Sequence, residues 1–311
     1  MRNAQGYEQT EGLRLTPDTR VPYMADIRKP PWLKKRIPLG SDIRKVSALL
    51  EKARLHTVCE EARCPNLPEC YSKRTATFMI MGNMCTRNCR FCAVSFGTPA
   101  SLDEDEPQSV ASIAGQLGLR YVVITSVTRD DLEDGGAQHF AKTVQAIKGR
   151  GSKTLVELLV PDFQGKHSSL DIILFTPPDV LNHNVETVPR LYPQVRPQAG
   201  YRRSLDLLKG VHVRSPSMLT KSGLMLGLGE REPEVTQVMQ DLLDVGCRLL
   251  TLGQYLQPSR QHHPVIRYLH PEEFEAYKAR GEKMGFLEVA SGPFVRSSFR
   301  AAQMYRDASL S

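Results

Sequence analysis

The chain has 311 residues, 41% of them hydrophobic and 24% charged, which excludes a disordered or fibrous protein and leaves ample apolar material for one large α/β domain or two smaller ones. Forty-one Lys and Arg against 34 Asp and Glu give a formal charge of +7, a balance that favours an acidic partner but is too diffuse to point to nucleic acid. No apolar run approaches the roughly 18 residues of a membrane span, and no apolar signal core stands at the N-terminus, where Glu8, Glu11, Asp18 and Asp26 also argue against a transit peptide, so the cytoplasm is the expected compartment.

Residues 1 to about 45 are rich in Pro and basic side chains, as in RKPPWLKKRIP, and read as an arm wrapped on the surface. Helical periodicity begins near Ser41, a plausible N-cap, with Ile43, Val46, Leu49 and Leu50 on one face. From about residue 76, short apolar runs alternate with amphipathic segments. The runs are Phe78 to Met81, Tyr121 to Thr125, Thr154 to Val160, Val180 to Leu181, Leu224 to Leu228 and Leu249 to Leu252. Val110, Ile113, Ala114 and Leu117, and again Val235, Val238, Met239 and Leu242, fall at i, i+3, i+4, i+7. Such a series of βα units predicts a parallel sheet with right-handed crossovers, curled into a partial or complete barrel with its chemistry at the C-terminal ends of the strands.

Six of the seven cysteines lie between Cys59 and Cys92, a crowding that reads as metal or redox chemistry rather than disulfide stapling. Cys85, Cys89 and Cys92 form a C-x3-C-x2-C unit on the loop after the first strand. Zinc sites normally close with four ligands, whereas three thiolates on a [4Fe–4S] cluster leave one iron open to a small molecule. Cys59, Cys64 and Cys70 form a second trio, C-x4-C-x5-C, again without an obvious fourth ligand. Cys247 reads as a buried core thiol, and the hydroxyls of Ser297 and Ser298 are the other candidates. An alkoxide on a soft cluster is a weak, replaceable ligand, useful where that iron must be released.

The C-x3-C-x2-C spacing, with Phe91 before its last cysteine, resembles the radical S-adenosylmethionine superfamily. The wider set CEEARCPNLPECYSKRTATFMIMGNMCTRNCRFC, YVVITSVTRDDLEDGGAQHF, NHNVETVPRLY, TKSGLMLGLGE, LTLGQYLQPSR and GPFVRSSF is similar to the lipoyl synthase family. That resemblance implies a partial (β/α)6 TIM-type barrel over residues 76–285, with an auxiliary-cluster extension at 1–75 and a C-terminal segment at 286–311. It implies two [4Fe–4S] clusters and S-adenosyl-L-methionine. Cys85, Cys89 and Cys92 hold the radical-generating cluster. Cys59, Cys64 and Cys70 hold an auxiliary cluster, with Ser298 as fourth ligand and Ser297 as the lesser alternative. Phe299 replaces the tyrosine usual in the family.

The reaction so implied uses two molecules of S-adenosylmethionine to take hydrogen from C6 and C8 of an octanoyl chain, with sulfur drawn from the auxiliary cluster. The chain to be modified is borne by an acidic lipoyl carrier domain. An electron donor such as flavodoxin or ferredoxin, and an iron–sulfur carrier for cluster repair, complete the implied partners. Docking charges include Lys34, Lys35, Arg36, Lys73, Arg74, Arg202 and Arg203.

Thr125, Ser126 and Thr128, with Asp130 and Asp131, follow the second strand, where the superfamily holds the cofactor's methionine portion. Glu157, Asn182 and Asn184 are expected to face the adenosyl group or substrate, and His183 reads as a structural histidine. Gly227 and Gly229 are expected to let backbone approach the cofactor. Tyr255, Gln257, His262 and His263 stand where they can line a substrate channel. A methylthiotransferase of the same superfamily is the nearest rival, but such chains usually carry an added RNA-binding domain, and only a short tail follows GPFVRSSF here.

Overall fold

A computed structural model describes residues 28–34, 41–72, 76–151 and 153–310. Its strands are β1 (His56–Thr57), β2 (Thr77–Ile80), β3 (Met84–Cys85), β4 (Ser95–Phe96), β5 (Tyr121–Ser126), β6 (Leu155–Leu159), β7 (Val180–Asn182), β8 (Leu219–Leu226), β9 (Leu249–Gln254) and β10 (Glu288–Gly292). Eight of them form one sheet in the order β1-β2-β5-β6-β7-β8-β9-β10. Only β1, antiparallel to β2, breaks the parallel run. The small pair β3 and β4 brackets the second cysteine loop.

All six strands read from the sequence are present, and the structure adds a seventh parallel one. That strand, β10, is EVASG, whose single large apolar residue, Val289, makes no visible run. Strand β8 also starts earlier than its apolar run, because Thr220, Lys221 and Ser222 are polar yet fully buried. It stops at Leu226, where Gly227 turns the chain at φ +101.

Alternation across the parallel strands separates two layers. Val122, Ile124, Val156 and Leu158 pack outward beneath helices that include Glu106–Gln116 and Ala137–Lys148. Val235, Val238, Met239 and Leu242 of the helix Glu232–Asp244 seal the other half. The helix Ala301–Ser309 sets Met304 and Ala308 against Val180 and Leu249, the first residues of β7 and β9, and so covers the N-terminal end of the barrel.

Of the proline-rich arm, residues 28–34 are described. Trp32 donates its indole N–H to the Leu269 carbonyl at 3.1 Å and packs edge-on to His270. The helix Ser41–Lys52 begins on Ser41 itself and buries Val46 and Leu50. Among the described residues no helix is long and apolar enough to cross a membrane.

Inside the barrel, Lys221 and Glu157 form an ion pair at 3.0 Å, each 1% exposed. Tyr121 donates to the same carboxylate at 2.6 Å and Asn182 at 3.0 Å. Removing one partner of such a pair strands a buried charge, whereas replacing both with apolar groups removes the desolvation cost as well. Lys221→Met is therefore expected to lower unfolding stability by about 3–5 kcal/mol, and Lys221→Met with Glu157→Leu to recover most of it, as read by urea denaturation.

Candidate active site

The C-terminal ends of the strands open onto one cavity of about 530 Å³. Cys59, Cys64 and Cys70 line it from the N-terminal side, Cys85, Cys89 and Cys92 from the loop after β2, and Ser297 and Ser298 from the C-terminal segment. Among the described residues no three His, Cys, Asp or Glu side chains converge tightly enough for a single metal ion. The thiols instead face the cavity as two separate trios, a donor set suited to clusters in which each cysteine takes a different iron.

Local structure explains how each trio is held. Thr57 caps the short helix Val58–Glu61 by accepting from the Glu60 amide at 3.3 Å, and its hydroxyl meets the Tyr71 phenol at 2.8 Å, which fixes the turn bearing Cys59. Asn66 donates to the Phe294 carbonyl at 2.7 Å, joining the first trio to the C-terminal segment. On the second loop, the Cys85 sulfur accepts from the amides of Arg87 at 3.4 Å and Thr128 at 3.3 Å. Arg87 forms two bonds to Asp130, at 2.6 and 2.8 Å, and reaches the fully buried Asp162 at 2.6 Å. His262 accepts or donates at its two ring nitrogens toward Ser259 (2.8 Å) and the Cys92 carbonyl (2.9 Å); since a carbonyl only accepts, Nε2 is the donor. The His263 amide donates to the Arg90 carbonyl at 2.7 Å.

Burial disfavours the thiolate at three of the thiols, Cys59, Cys89 and Cys92. Burial pushes Cys59 and Cys92 up to about 12, and raises Cys89 as well, with neighbouring sulfurs adding to the effect. Thiols held neutral in this way are poor nucleophiles and wait for a cation to ionise them. Burial works against the Asp162 carboxylate, but the bonds and charge of Arg87 outweigh it and bring its pKa to about 2. Burial, aided by Arg196, lowers His183 to about 4. Its Nδ1 donates to the Val160 carbonyl at 2.8 Å and Nε2 accepts from Ser204 at 2.8 Å, so the neutral ring is fully satisfied.

Thr125, Ser126, Thr128 and Asn184 line the cavity as expected, whereas Glu157 and Asn182 do not, being engaged with Lys221 and with each other below it. Thr125 is occupied by the Leu159 carbonyl. Ser126 Oγ, Asn184 Oδ1 and the Arg196 Nε are buried at the cavity without a hydrogen-bond partner in the chain, the pattern left by groups reserved for a polar ligand. Tyr255 and Gln257 line the cavity, while His262 and His263 serve instead to clasp the cysteine loop.

The expectation for Gly227 needs correction. A Cβ there would collide with Gln254 and stand 2.5 Å from the Arg267 carbonyl, so the glycine serves close packing within the protein. The turn is further fixed by the Glu230 carboxylate, which accepts from the Gly227 and Leu228 amides at 2.6 and 2.9 Å. Cys247 is a core thiol, donating to the Thr220 and Leu249 carbonyls away from the cavity.

Several cavity residues had no sequence signal of their own. Arg87 and Arg196 look like ordinary surface cations, yet both are buried. Glu186 sits in left-handed backbone at φ +64, with burial raising its carboxyl against Arg196 and Asn184. Only the placement of these three around the cysteines reveals them.

Comparison with known proteins decides the family. The radical SAM superfamily matches residues 79–242, and the N-terminal domain of lipoyl synthase of the radical SAM family matches residues 8–64. A lipoyl synthase of Caldanaerobacter subterraneus is 58% identical over 88% of this chain and 96% of its own. One from Alkaliphilus metalliredigens is 54% identical over 89% and 95%. The chain belongs to the lipoyl synthase family. Among solved structures, Streptococcus suis SuiB bound to S-adenosylmethionine shares the fold with a TM-score of 0.54 at 11% identity, covering 79% of this chain and 53% of that one.

For a member of the lipoyl synthase family, the superfamily implies S-adenosylmethionine and a [4Fe–4S] cluster, and the cavity fits both demands. It offers two trios of thiols and unpaired polar atoms beside them. The fold also carries a pH signature. Because His183 is harder to protonate folded than unfolded, its contribution to stability is complete above about pH 6.5 and is lost as pH falls toward 4. The loss reaches about 3 kcal/mol in urea unfolding curves, and His183→Gln is expected to flatten that slope. The Asp162 contribution is lost separately, between about pH 4 and 2.

Proposed function

We propose that this chain inserts two sulfur atoms, at C6 and C8, into an octanoyl group carried on a lysine of a lipoyl carrier domain, giving the lipoyl cofactor. The observation that carries the reading is the meeting of two thiol trios and a serine pair in one cavity. Cys85, Cys89 and Cys92 hold the [4Fe–4S] cluster that takes S-adenosylmethionine. Cys59, Cys64, Cys70 and Ser298 hold the second [4Fe–4S] cluster. When bound, the first group supplies the radical power that unactivated C–H bonds require, and the second supplies the sulfur.

The chain's own residues bind, orient and shield. The amides of Arg87 and Thr128 donate to the Cys85 sulfur and temper its charge, a lever on cluster potential. Arg87, Asp130 and Asp162 lock the loop that bears the trio, so its sulfurs do not wander when the cavity fills. Ser126, Thr128 and Asn184 bind the polar parts of S-adenosylmethionine, and the charge of Arg196 faces the same space. Ser298 is favoured over Ser297 because its Oγ lies 2.9 Å from the Thr77 hydroxyl, on the side of Cys59. The ring of Phe299 carries the Arg300 guanidinium 5.2 Å above it, a use that needs no phenol.

The acidic carrier domain docks on the basic rim in the cytoplasm, with a flavodoxin or ferredoxin supplying electrons and an iron–sulfur carrier restoring the second cluster. Lys34 and Arg202 are exposed and available for this docking, while Arg203 is partly engaged by Asp162 at 3.2 Å. Lys35, Arg36, Lys73 and Arg74 lie outside the described residues.

Alanine at Cys59, Cys64 and Cys70 together is expected to leave about four irons per chain and intact S-adenosylmethionine cleavage, with no thiolated product by mass spectrometry. Sulfur insertion by that variant would overturn the assignment. Raising salt from about 0.05 to 0.5 M is expected to weaken carrier binding mainly through the association rate, and an unchanged rate would remove the docking argument.

A further inference from the structure

Thr77 opens β2, the strand that leads to the second cysteine loop, and is 5% exposed. Its hydroxyl donates to Ser298 Oγ at 2.9 Å, a contact across 221 positions of sequence. Its backbone amide faces the Cys59 sulfur and favours the thiolate there. One buried residue therefore touches a proposed cluster ligand from each end of the chain.

The placement is rigid. Phe78 and Met79 pair with Thr57 and His56, immediately before the helix that bears Cys59, and Thr77 itself pairs with Val123 of β5. The partner segment is held independently, since Asn66 grips the Phe294 carbonyl at 2.7 Å. A β-branched side chain on a paired strand has little rotamer freedom, so the hydroxyl stays aimed at Ser298.

We propose that Thr77 is a positioning residue for the replaceable fourth ligand, holding Ser298 Oγ at the cluster edge and favouring its iron-bound form. The inference rests on the reading of Ser298 as that ligand. An oxygen bound to iron carries more negative charge than a free hydroxyl, and a hydrogen bond to a charged acceptor is roughly twice as strong as one to a neutral acceptor. The Thr77 contact thus stabilises the ligated state more than the released one. Being a single bond, it delays departure of the iron without preventing it.

The test uses the full-length protein with both clusters reconstituted and no substrate. It measures the rate at which a ferrous chelator removes iron, alongside the electron paramagnetic resonance signal of the three-iron product. Thr77→Val is expected to release iron about three to ten times faster than the unaltered protein, and Thr77→Ser within about twofold of it. Ser298→Ala is expected to release iron at least as fast as Thr77→Val, and the double variant no faster than Ser298→Ala alone. Thr77→Ala, which also lacks the hydroxyl, replaces the valine variant if circular dichroism shows that variant misfolded.

Iron loss at the unaltered rate in Thr77→Val, with faster loss in Ser298→Ala, overturns the role of Thr77 while leaving the ligand reading intact. Unaltered loss in Ser298→Ala instead overturns the ligand reading itself. Additive acceleration in the double variant also rejects the proposal, because Thr77 would then act elsewhere.

Discussion

A sulfur anion can be buried only where a positive charge or several donors meet it, and that constraint organises the top of this barrel. Cys59 and Cys92 are driven up to about 12 by burial, and the thiols beside them add to the shift. Left to the polypeptide alone, these groups are inert. Cysteines arranged so are unsuited to nucleophilic or disulfide chemistry and suited to iron, whose charge ionises them and whose cluster geometry spreads them apart.

Around that constraint the chain spends its buried charges on position. Arg87 lies inside the C-x3-C-x2-C unit and reaches Asp130 and Asp162 on the loops that follow two neighbouring strands. The result is a cysteine loop tied to the sheet by charge as well as by backbone. Deeper in, Lys221, Glu157, Tyr121 and Asn182 form a second polar group where an ordinary barrel would stack aliphatic side chains. The desolvation cost of its charges is offset by the Lys221–Glu157 pair and by the Tyr121 and Asn182 donors, and none of the four lines the cavity.

The C-terminal segment shows how a short stretch can act at both ends of a barrel. After β10 it passes Gly253, where any Cβ would strike the Val295 carbonyl, and brings Ser298 to Thr77. It then turns into the helix Ala301–Ser309, which packs on the starts of β7 and β9. A barrel whose sheet edges are β1 and β10 thereby gains a cover at one end and a hydroxyl at the other.

Spacing and periodicity alone determined the six apolar strands, their alternation with helices, and the two cysteine trios, because a period of two or 3.6 and a ligand interval are properties of local sequence. The polar start of β8 and the sparse β10 escaped that reading, since a strand facing a polar interior or holding one large apolar residue has no hydrophobic signature. Glu157 and Asn182 looked like cavity residues by their positions on strands, and only the path of Lys221 through the barrel showed where their side chains are spent. Likewise, that Arg87, Arg196, Glu186 and Thr77 gather around the thiols was decided by tertiary structure, because hydrogen bonds between residues far apart in the chain leave no local pattern to read.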